Sequence, residues 1–209
     1  MVFFRYLCAM QQNQKSEFTK QTILNESFKL FYQNGFKTTS VDTIMKSTKL
    51  TKGAFYHHYK NKKELGLAVI SSKLQERVFH GMIAPLQEPG NVISILENTF
   101  SERLKSFSLH DKKHGCPTNN FINEIGDLES AYQMALKQII EEWRAALIIL
   151  IERGKLENSI KQSVSSEAVA VYLISAFEGV RGIRKLYDND TILDEYMVGL
   201  SFYIQHLKV

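Results

Sequence analysis

The stretch from Thr39 to Tyr59 restricts the possible folds of this chain more than any other segment. Its first half begins at Ser40, a residue type that caps helices, and continues with apolar residues at helical spacing. A polar break follows, and Thr51 can then cap a second short helix. Two short helices joined by a tight turn form a helix-turn-helix, a unit that can place its second helix in the major groove of DNA.

The second predicted helix carries an unusual combination of residue types. Lys52 supplies a cation, Gly53 has no side chain, and Tyr56, His57 and His58 are long hydrogen-bonding groups. Glycine inside a helix costs about 1 kcal/mol relative to alanine, so its presence favours close approach of a partner to the backbone. The free N–H groups at the start of such a helix suit a phosphate. The alternative interpretation is a surface helix whose polar side chains are only solvated.

The amino-acid composition indicates a helical, globular chain. Hydrophobic residues make up 44% of the 209 positions, and the presence of only 3 prolines and 11 glycines argues against a loop-rich or all-β protein. A chain of this length can bury a sizeable core as one large domain or two small ones. No apolar run is long enough to span a membrane, so no membrane partner is expected.

The N-terminal segment, residues 1–15, begins with a short apolar stretch that lacks a basic leader and becomes polar soon afterwards. We interpret it as a flexible tail and not as a signal peptide. Either Met1 or Met10 can be the translational start. The two cysteines, Cys8 and Cys116, do not make a disulfide framework, so a cytoplasmic location is expected.

Charge is distributed unevenly along the chain. Residues 1–65 contain 11 Lys or Arg and 4 Asp or Glu, a net charge of +7, whereas the remainder contains 15 and 18, a net charge of −3. A basic head beside a mildly acidic body is typical of a protein whose head binds nucleic acid. A split of this size can also arise by chance.

Helical periodicity continues along the rest of the sequence. A helix is predicted over residues 19–34 and ended by Gly35, and a longer one is predicted to begin at Asn61, with Glu64 completing a capping box. The charged segment 108–115 is predicted to be a loop that leads into a short helix. Further helices are predicted over residues 91–107, 131–153 (ended by Gly154), 166–187 and 191–207.

Three runs in the N-terminal third form an ordered set: FYQNGF from Phe31, TTSVDTI from Thr38, and TKGAFYHHYKNKKEL from Thr51. Together they make residues 19–69 resemble the DNA-binding domain of the tetracycline-repressor (TetR) family of bacterial transcription regulators. Two departures from the family pattern stand out. Lys49 occupies the turn position where the family usually has glycine, and Tyr59 replaces the usual phenylalanine.

The resemblance implies which side chains meet DNA. The recognition-helix positions are those of Lys52, Gly53, Tyr56, His57 and His58. The positions that often contact the DNA backbone are those of Thr39, Ser40, Val41, Thr51 and Lys62. The implied partner is a double-stranded, palindromic operator, and by the habit of the family the protein is expected to be a repressor.

The expected fold is all-α, with two functional regions after the tail. Residues 16–65 are predicted to form a three-helix, helix-turn-helix DNA-binding domain, and residues 66–209 a helical domain for effector binding and dimerisation. The last two helices are apolar and contain small residues, which suits a homodimer with a four-helix bundle, as in TetR relatives. The alternative is that these helix faces pack only within one chain.

The resemblance also implies a small-molecule effector, of unknown identity, that shifts the population toward a state with weak DNA affinity. The candidate pocket residues are apolar or aromatic and are predicted from the helices of the body: Phe100, Leu104, Phe107, Cys116, Phe121, Ile125, Tyr132, Trp143, Leu147, Tyr172 and Phe177. Each of them can equally be plain core.

Cys116 permits a second kind of trigger. Lys113 and His114 lie close to it in sequence and can lower its pKa, which would favour a thiolate and an electrophile-sensing regulator. A small buried residue at a helix start is the simpler interpretation.

No catalytic or cofactor-binding motif is present in the sequence, so we expect neither an enzyme nor a cofactor. His110, Asp111 and His114 can in principle hold a metal, but on a charged loop a solvated role is the favoured interpretation, and no metal is expected. The rival function is a ligand- or partner-binding helical dimer that has lost specific DNA binding, for which Lys49 in the turn is the one supporting feature.

Overall fold

The computed structural model describes the backbone of residues 2–209 and the side chains of residues 12–209. This part of the chain is helical and contains no β-strand, which confirms the predicted all-α class. The α-helices are α1 (Val2–Asn34), α2 (Val41–Thr48), α3 (Lys52–His58), α4 (Lys62–Ala68), α5 (Gln75–Val78), α6 (Val92–Lys105), α7 (Leu109–His114), α8 (Pro117–Ile125), α9 (Ser130–Leu156), α10 (Ser166–Ile183) and α11 (Thr191–Leu207). None of the described helices is both long and apolar enough to span a lipid bilayer.

The first three helices form a compact head around a small apolar core. Gly35 ends α1 with a φ of 90°, a left-handed conformation that glycine adopts without strain. Ile23, Ile44 and Phe55, one from each helix, are fully buried against one another. Because this core fixes α3 against α1 and α2, the opposite face of α3 is left free at the surface.

The segment from Lys62 to Gln87, here called the connecting helix, joins the head to the body. It begins with Asn61, whose side chain accepts a hydrogen bond from the Glu64 N–H at 2.9 Å. The Glu64 carboxylate accepts from Lys60 N at 2.8 Å, one residue earlier than in a standard capping box. The helix is not uniform, because its segments Val69–Leu74 and Phe79–Ile83 are π-helical. Such wide turns often occur at functional sites.

The body is built around α9, whose inner face is buried along its length. Trp143 lies at its centre, with its ring 6.3 Å from Phe100 of α6 and 5.6 Å from Phe177 of α10. The last two helices, α10 and α11, form the outer layer on one side of the body. Their outward surface contains the apolar residues that bear on dimerisation.

The structure corrects three details of the sequence-based prediction. Residues 2–15 continue α1 as helix where a tail was predicted, because no proline or glycine interrupts them; Met1 lies outside the described residues. The segment predicted as a loop forms α7, since Ser108 and Asp111 make a capping box. Gly154 does not end α9 but packs inside it, where an added Cβ would meet Ile160 at 2.8 Å.

Candidate DNA-binding surface and effector cavity

Helix α3 presents its polar face to solvent from a rigid base. The Thr51 hydroxyl caps the helix by accepting from the Ala54 N–H at 3.2 Å, and Phe55 anchors the inner face. Tyr56 is 61% exposed, with its ring centre 5.1 Å from that of Phe55 in an edge-on arrangement. A large side chain held in this way loses little conformational freedom when it meets a base edge.

The other predicted recognition residues lie around Tyr56. Lys52 is exposed and pairs with Asp42 at 2.7 Å, a surface ion pair that DNA can readily exchange for a phosphate contact. The backbone at Gly53 is open, since an added Cβ would find only Thr51 Oγ1, at 3.7 Å. His57 is exposed and His58 half-buried, and burial followed by the nearby His57 lowers the pKa of His58.

The residues predicted to contact the DNA backbone divide into two groups. Ser40 and Thr51 are exposed helix caps, and Val41 is half-buried next to Ser40. Thr39 and Lys62, in contrast, are turned toward the protein. Thr39 is 2% exposed and donates to the Gly35 carbonyl at 2.7 Å. Its hydroxyl is therefore not available to a phosphate.

Lys62 contacts the junction between the head and the connecting helix. Its ammonium group donates to the Lys37 carbonyl at 3.2 Å and lies 4.5 Å from the centre of the Phe36 ring. Burial lowers the pKa of Lys62. The side chain thus holds the end of α1 against the connecting helix, a role that the resemblance did not indicate.

Sequence reasoning did not single out Lys46, and it noted Lys49 only as a departure from the family pattern. Lys46, Lys49 and Lys52 line a shallow groove together with Asp42. The spacing of three residues between successive lysines was the available signal. These cations are exposed at the surface next to α3, and contacts between lysines and phosphates strengthen DNA binding without selecting sequence.

An interior cavity lies in the body beneath the connecting helix. It has about 20 Å³ of free space, which is enough for about one water molecule. Four of the predicted pocket residues line it: Phe107, Cys116, Trp143 and Phe177. Polar side chains that the sequence did not single out also line it, namely Arg77, Arg103, Thr118, Glu178 and Arg181.

The remaining predicted pocket residues do not line this cavity. Six of them are buried in the core around it: Phe100, Leu104, Phe121, Ile125, Tyr132 and Leu147. Tyr172 is half-exposed on α10, with its ring centre 4.2 Å from that of Tyr203 on α11. It faces away from the cavity because α10 buries the side that carries Phe177.

Comparison with known proteins identifies the family. Residues 23–69 match the profile of bacterial regulatory proteins of the tetR family, and residues 93–200 match that of the tetracyclin repressor-like C-terminal domain. The chain belongs to the TetR family. It is therefore a DNA-binding transcriptional regulator, in a family whose members are generally repressors with a ligand-binding C-terminal domain.

Individual relatives agree with this assignment. The transposon Tn10 TetC protein of Escherichia coli is 32% identical over 149 residues, which cover 70% of this chain and 72% of that protein. The transcriptional repressor DhaR of Mycobacterium sp. (strain GP1) is 23% identical over 180 residues, covering 85% and 88%. A crystal structure of a TetR transcriptional regulator from Chloroflexus aurantiacus superposes with a TM-score of 0.83 at 23% identity, covering 93% of this chain and 98% of that one.

The departure from the TetR pattern at Lys49 has a structural consequence. Lys49 adopts a φ of 57° and a ψ of 20°, the left-handed conformation that the usual glycine would supply. The turn therefore keeps the geometry expected of the family in spite of the substitution. A side chain in this conformation costs on the order of 1 kcal/mol.

Replacing Lys49 with glycine should raise the free energy of unfolding by about 1 kcal/mol, because glycine adopts the left-handed conformation without strain. Urea denaturation measures the change. Lys46 is the matched control, since it is an exposed lysine inside α2 and its replacement by glycine should lower stability by about 1 kcal/mol. Equal destabilisation by both substitutions would contradict the account of the turn.

The second departure, at Tyr59, leaves a buried polar atom without a partner. The ring is buried against Phe55, and its hydroxyl makes no hydrogen bond to any described residue. Burial raises the pKa of Tyr59 to about 12. The phenylalanine usual in the TetR family would fill the same space without the unpaired hydroxyl.

The substitution Tyr59→Phe should raise the free energy of unfolding by about 1 kcal/mol, since it removes the cost of burying an unpaired hydroxyl. Tyr32→Phe is the matched control, because the Tyr32 hydroxyl donates to the Gly115 carbonyl at 2.7 Å. In that variant the free energy of unfolding should fall by about 1 kcal/mol. Denaturant titration of both variants measures the two changes in the free energy of unfolding. A lower free energy of unfolding in Tyr59→Phe would show that the Tyr59 hydroxyl has a partner.

The structure overturns the proposed activation of Cys116. Its thiol is buried, and burial followed by the neighbouring Glu178 carboxyl raises its pKa to about 12. The neighbours in sequence, Lys113 and His114, do not lower it, because Lys113 is exposed and the His114 ring bonds back to the His110 carbonyl at 2.9 Å. The thiol is therefore neutral throughout the physiological range.

Alkylation of Cys116 by iodoacetamide should be slow at pH 8, where a pKa of about 12 leaves roughly one thiol in ten thousand ionised. The rate should rise about tenfold per pH unit until the protein unfolds. Peptide mass spectrometry resolves Cys116 from Cys8 and measures each rate separately. Rapid modification of Cys116 at neutral pH would restore the electrophile-sensing hypothesis.

Proposed function

We propose that the protein is a homodimeric, cytoplasmic repressor that binds a palindromic double-stranded operator and leaves it when a small molecule occupies the body. The observation that carries this proposal is the exposed polar face of α3, with Tyr56 at its centre, on a head of net charge +7 in residues 1–65. Base-edge contacts from α3 supply sequence choice, and the lysines of the turn add salt-dependent affinity.

Dimerisation through α10 and α11 is supported by an uncovered apolar surface. The dimer face consists of exposed apolar and small residues at helical spacing: Val171, Tyr172, Ser175, Gly179, Gly182, Ile183, Val198, Gly199 and Phe202. An added Cβ at any of its three glycines would meet nothing within 4 Å in the single chain. Packing within the chain does not require those glycines, whereas close approach of a second helix pair does.

A two-fold dimer gives the two α3 helices a fixed separation. Operator half-sites must then lie about 34 Å apart or at a multiple of that distance, on the same side of the duplex. A change in the angle of each head relative to the body alters this separation. Any ligand that prefers the altered arrangement weakens DNA binding by its difference in affinity for the two states.

Contacts between the head and the body can transmit such a change. The Glu124 carboxylate of α8 accepts hydrogen bonds from the backbone N–H groups of Phe36, at 2.7 Å, and Lys37, at 2.5 Å. The first turn of α8, at the other end of the same helix, borders the interior cavity. A ligand that displaces α8 therefore acts directly on the end of α1.

A second connection runs through the carbonyl oxygen of Gly115. It accepts from the Tyr32 hydroxyl of the head at 2.7 Å and from the Arg181 guanidinium of the cavity at 2.8 Å. Because one carbonyl oxygen accepts from both donors, a displacement of Arg181 that shifts Gly115 also acts on the hydrogen bond of Tyr32. Both connections support the proposal that occupation of the cavity is coupled to the heads.

The chemistry of the cavity supports binding more than catalysis. A nucleophile needs an adjacent base, but the Cys116 thiol lies beside Glu178, and burial raises the pKa of both groups. The Cys116 thiol therefore keeps its proton, and burial disfavours the charged form of the carboxyl beside it. We propose a binding role for the cavity and no catalysis.

The rival function is a partner-binding helical dimer without specific DNA recognition. A spacer experiment distinguishes the two after the operator has been located by footprinting. Inserting about half a helical turn, roughly five base pairs, between the half-sites should lower affinity by at least tenfold, and a full turn should restore part of it. Binding that is indifferent to both insertions would favour the rival.

A further inference from the structure

The interior cavity contains buried polar side chains whose hydrogen-bonding atoms have no partner among the described residues. Trp143 is 1% exposed, and its indole N–H has no partner among the described residues. The Thr118 hydroxyl is also buried and unpaired. A buried polar group without a partner costs free energy, so a cluster of such groups in one cavity indicates that something is bound there in another state.

Two arginines add positive charge at the same place. Arg181 is 6% exposed, and its one described hydrogen bond goes to a carbonyl, not to a carboxylate. No described carboxylate lies within 4.0 Å of Arg103 or Arg181, whereas the neighbouring Arg77 is paired with Asp111. Burial, followed by the repulsion of Arg77 and Arg181, lowers the pKa of Arg103. An anion at this point would relieve that repulsion.

The acidic residue of the cavity does not neutralise these charges. Glu178 is deeply buried, and burial raises its pKa, so its carboxyl group is held toward the protonated form. Its Oε2 atom has no hydrogen-bond partner among the described residues. This oxygen is one more buried polar atom of the cavity without a partner.

The first turn of α8 also favours an anion in the cavity. No side chain caps this nine-residue helix, and Pro117 at its start has no N–H. Thr118, whose hydroxyl is unpaired, lies in that first turn and lines the cavity. The positive end of a helix dipole favours a negative charge close to it.

The apolar walls restrict what kind of anion fits. Met82, Phe107 and Phe177 line the same space, and the Arg181 guanidinium lies 4.1 Å from the centre of the Phe107 ring. A fully hydrated anion such as phosphate would leave oxygen atoms against these rings. A group with two acceptor oxygens and a short hydrocarbon part satisfies both the donors and the walls.

We propose that the effector is a short-chain monocarboxylate, bound in this cavity with its oxygen atoms on Arg103, Arg181 and the Trp143 N–H. The proposal deepens, and rests on, the proposed function as an effector-released regulator. The free space of about 20 Å³ is smaller than such a ligand, so the cavity must open to admit it.

Arg103 is the residue that can open the cavity. It borders both the interior space and an outer groove of about 450 Å³ that includes Gly81 and Glu102. An added Cβ at Gly81 would lie 2.7 Å from Arg103 Nε, so the absence of a side chain there makes room for the guanidinium. Movement of Arg103 joins the groove to the cavity.

Direct binding to the full chain, measured by calorimetry without DNA, tests the proposal separately from operator binding. The probes are acetate, propionate, butyrate and hexanoate, with propionamide as the neutral isostere and inorganic phosphate as the hydrated anion. We expect one or two of the carboxylates to bind at least tenfold more tightly than propionamide or phosphate. Equal affinity for the amide, equal affinity for phosphate, or no binding of any carboxylate up to millimolar concentrations would each overturn the proposal.

Substitutions of the cavity residues test whether the carboxylate binds in this cavity. Trp143→Phe removes the indole N–H together with one ring of the buried side chain. Arg103→Gln removes a charge from a half-buried position. Circular dichroism and denaturant titration of each variant show that it is folded before binding is compared. Each should weaken carboxylate binding by about 10- to 100-fold, the effect of a hydrogen bond to a charged group. Arg144→Gln, on the outer face of α9 and paired with Glu141, is the matched control and should bind normally. Unchanged binding in both cavity variants would place the carboxylate elsewhere and refute the assignment.

Failure of the proposed function and failure of the cavity assignment give different experimental results. If carboxylates bind but the protein ignores its operator, the proposed function fails and the cavity assignment stands. If the protein binds its operator but no carboxylate binds, the cavity assignment fails and the regulator stands.

Discussion

Operator affinity should fall by roughly 100- to 10,000-fold when Val198 and Phe202 are both replaced by glutamate. Both side chains lie on the dimer face of α11, and Phe202 is 65% exposed in the single chain. In a two-fold dimer, each glutamate is placed against an apolar surface and near its own copy, which favours separated chains. A single head then binds one half-site without the roughly 10²- to 10⁴-fold gain that a linked second head supplies.

Two measurements separate this effect from unfolding. Light scattering coupled to size-exclusion chromatography should give the mass of two chains for the natural protein and of one, 24.0 kDa, for the double variant. Circular dichroism should show that helical content is retained. Met134→Glu on α9 is the control, because Met134 is similarly exposed but lies outside the dimer face. A double variant that stays dimeric would show that the chains meet elsewhere.

The second large effect is expected at Tyr56. Removing its side chain in Tyr56→Ala should weaken binding to the native operator by about 10- to 100-fold, the range of 1–3 kcal/mol that a specific base contact contributes. Binding to unrelated DNA should change little, because that binding comes mainly from lysines and phosphates. Stability should also be unchanged, since the side chain is exposed and packs only edge-on against Phe55.

A lysine variant provides the contrast for Tyr56→Ala. Lys49→Gln removes a charge from the groove beside α2 without touching α3. This substitution should weaken binding to the native operator and to unrelated DNA by similar factors. It should also reduce the slope of log affinity against log salt concentration by about one. Fluorescence anisotropy at several salt concentrations measures both quantities. An equal loss on both duplexes for Tyr56→Ala would show that Tyr56 does not read sequence.

Much of the head could be predicted from the sequence because its helix ends are set by local chemistry. Ser40, Thr51 and Asn61 each cap the helix that follows, since a short polar side chain can satisfy only the N–H groups next to it. The conformation of the turn at Lys49 did not follow from the sequence, because a lysine in place of the usual glycine allows either left-handed backbone or a different turn, and the structure shows left-handed backbone.

The direction of a side chain that has two possible partners could not be predicted. The Thr39 hydroxyl can donate a hydrogen bond to a phosphate or to a backbone carbonyl. It donates to the carbonyl of Gly35, because that group lies next to it in the folded chain. Lys62 likewise finds Lys37 and Phe36 only because α1 ends beside the connecting helix. These contacts depend on the packing of segments distant in sequence, which helical periodicity does not encode.

The interior cavity was the least predictable part of the molecule. A search for apolar and aromatic residues finds its walls, such as Trp143 and Phe177, but cannot separate them from the surrounding core. Its distinctive groups are buried charges, and Arg103 and Arg181 look like ordinary solvated residues in the sequence. Only the assembled body shows that they converge on one space in which no described carboxylate lies within 4.0 Å of either of them.

The most direct test of the central claim is a binding titration of the natural protein on DNA that flanks its own gene, beside a scrambled duplex of equal length and composition. At near-physiological salt, the recognition surface on α3 predicts at least a thousandfold preference for the native DNA. A thousandfold is the lower end of the ratio between specific and non-specific affinity for regulators of this kind. The basic head also predicts an affinity that falls steeply with salt on both duplexes. Equal affinity for the two duplexes, on all flanking segments tried, would contradict the assignment of α3 as a helix that reads sequence.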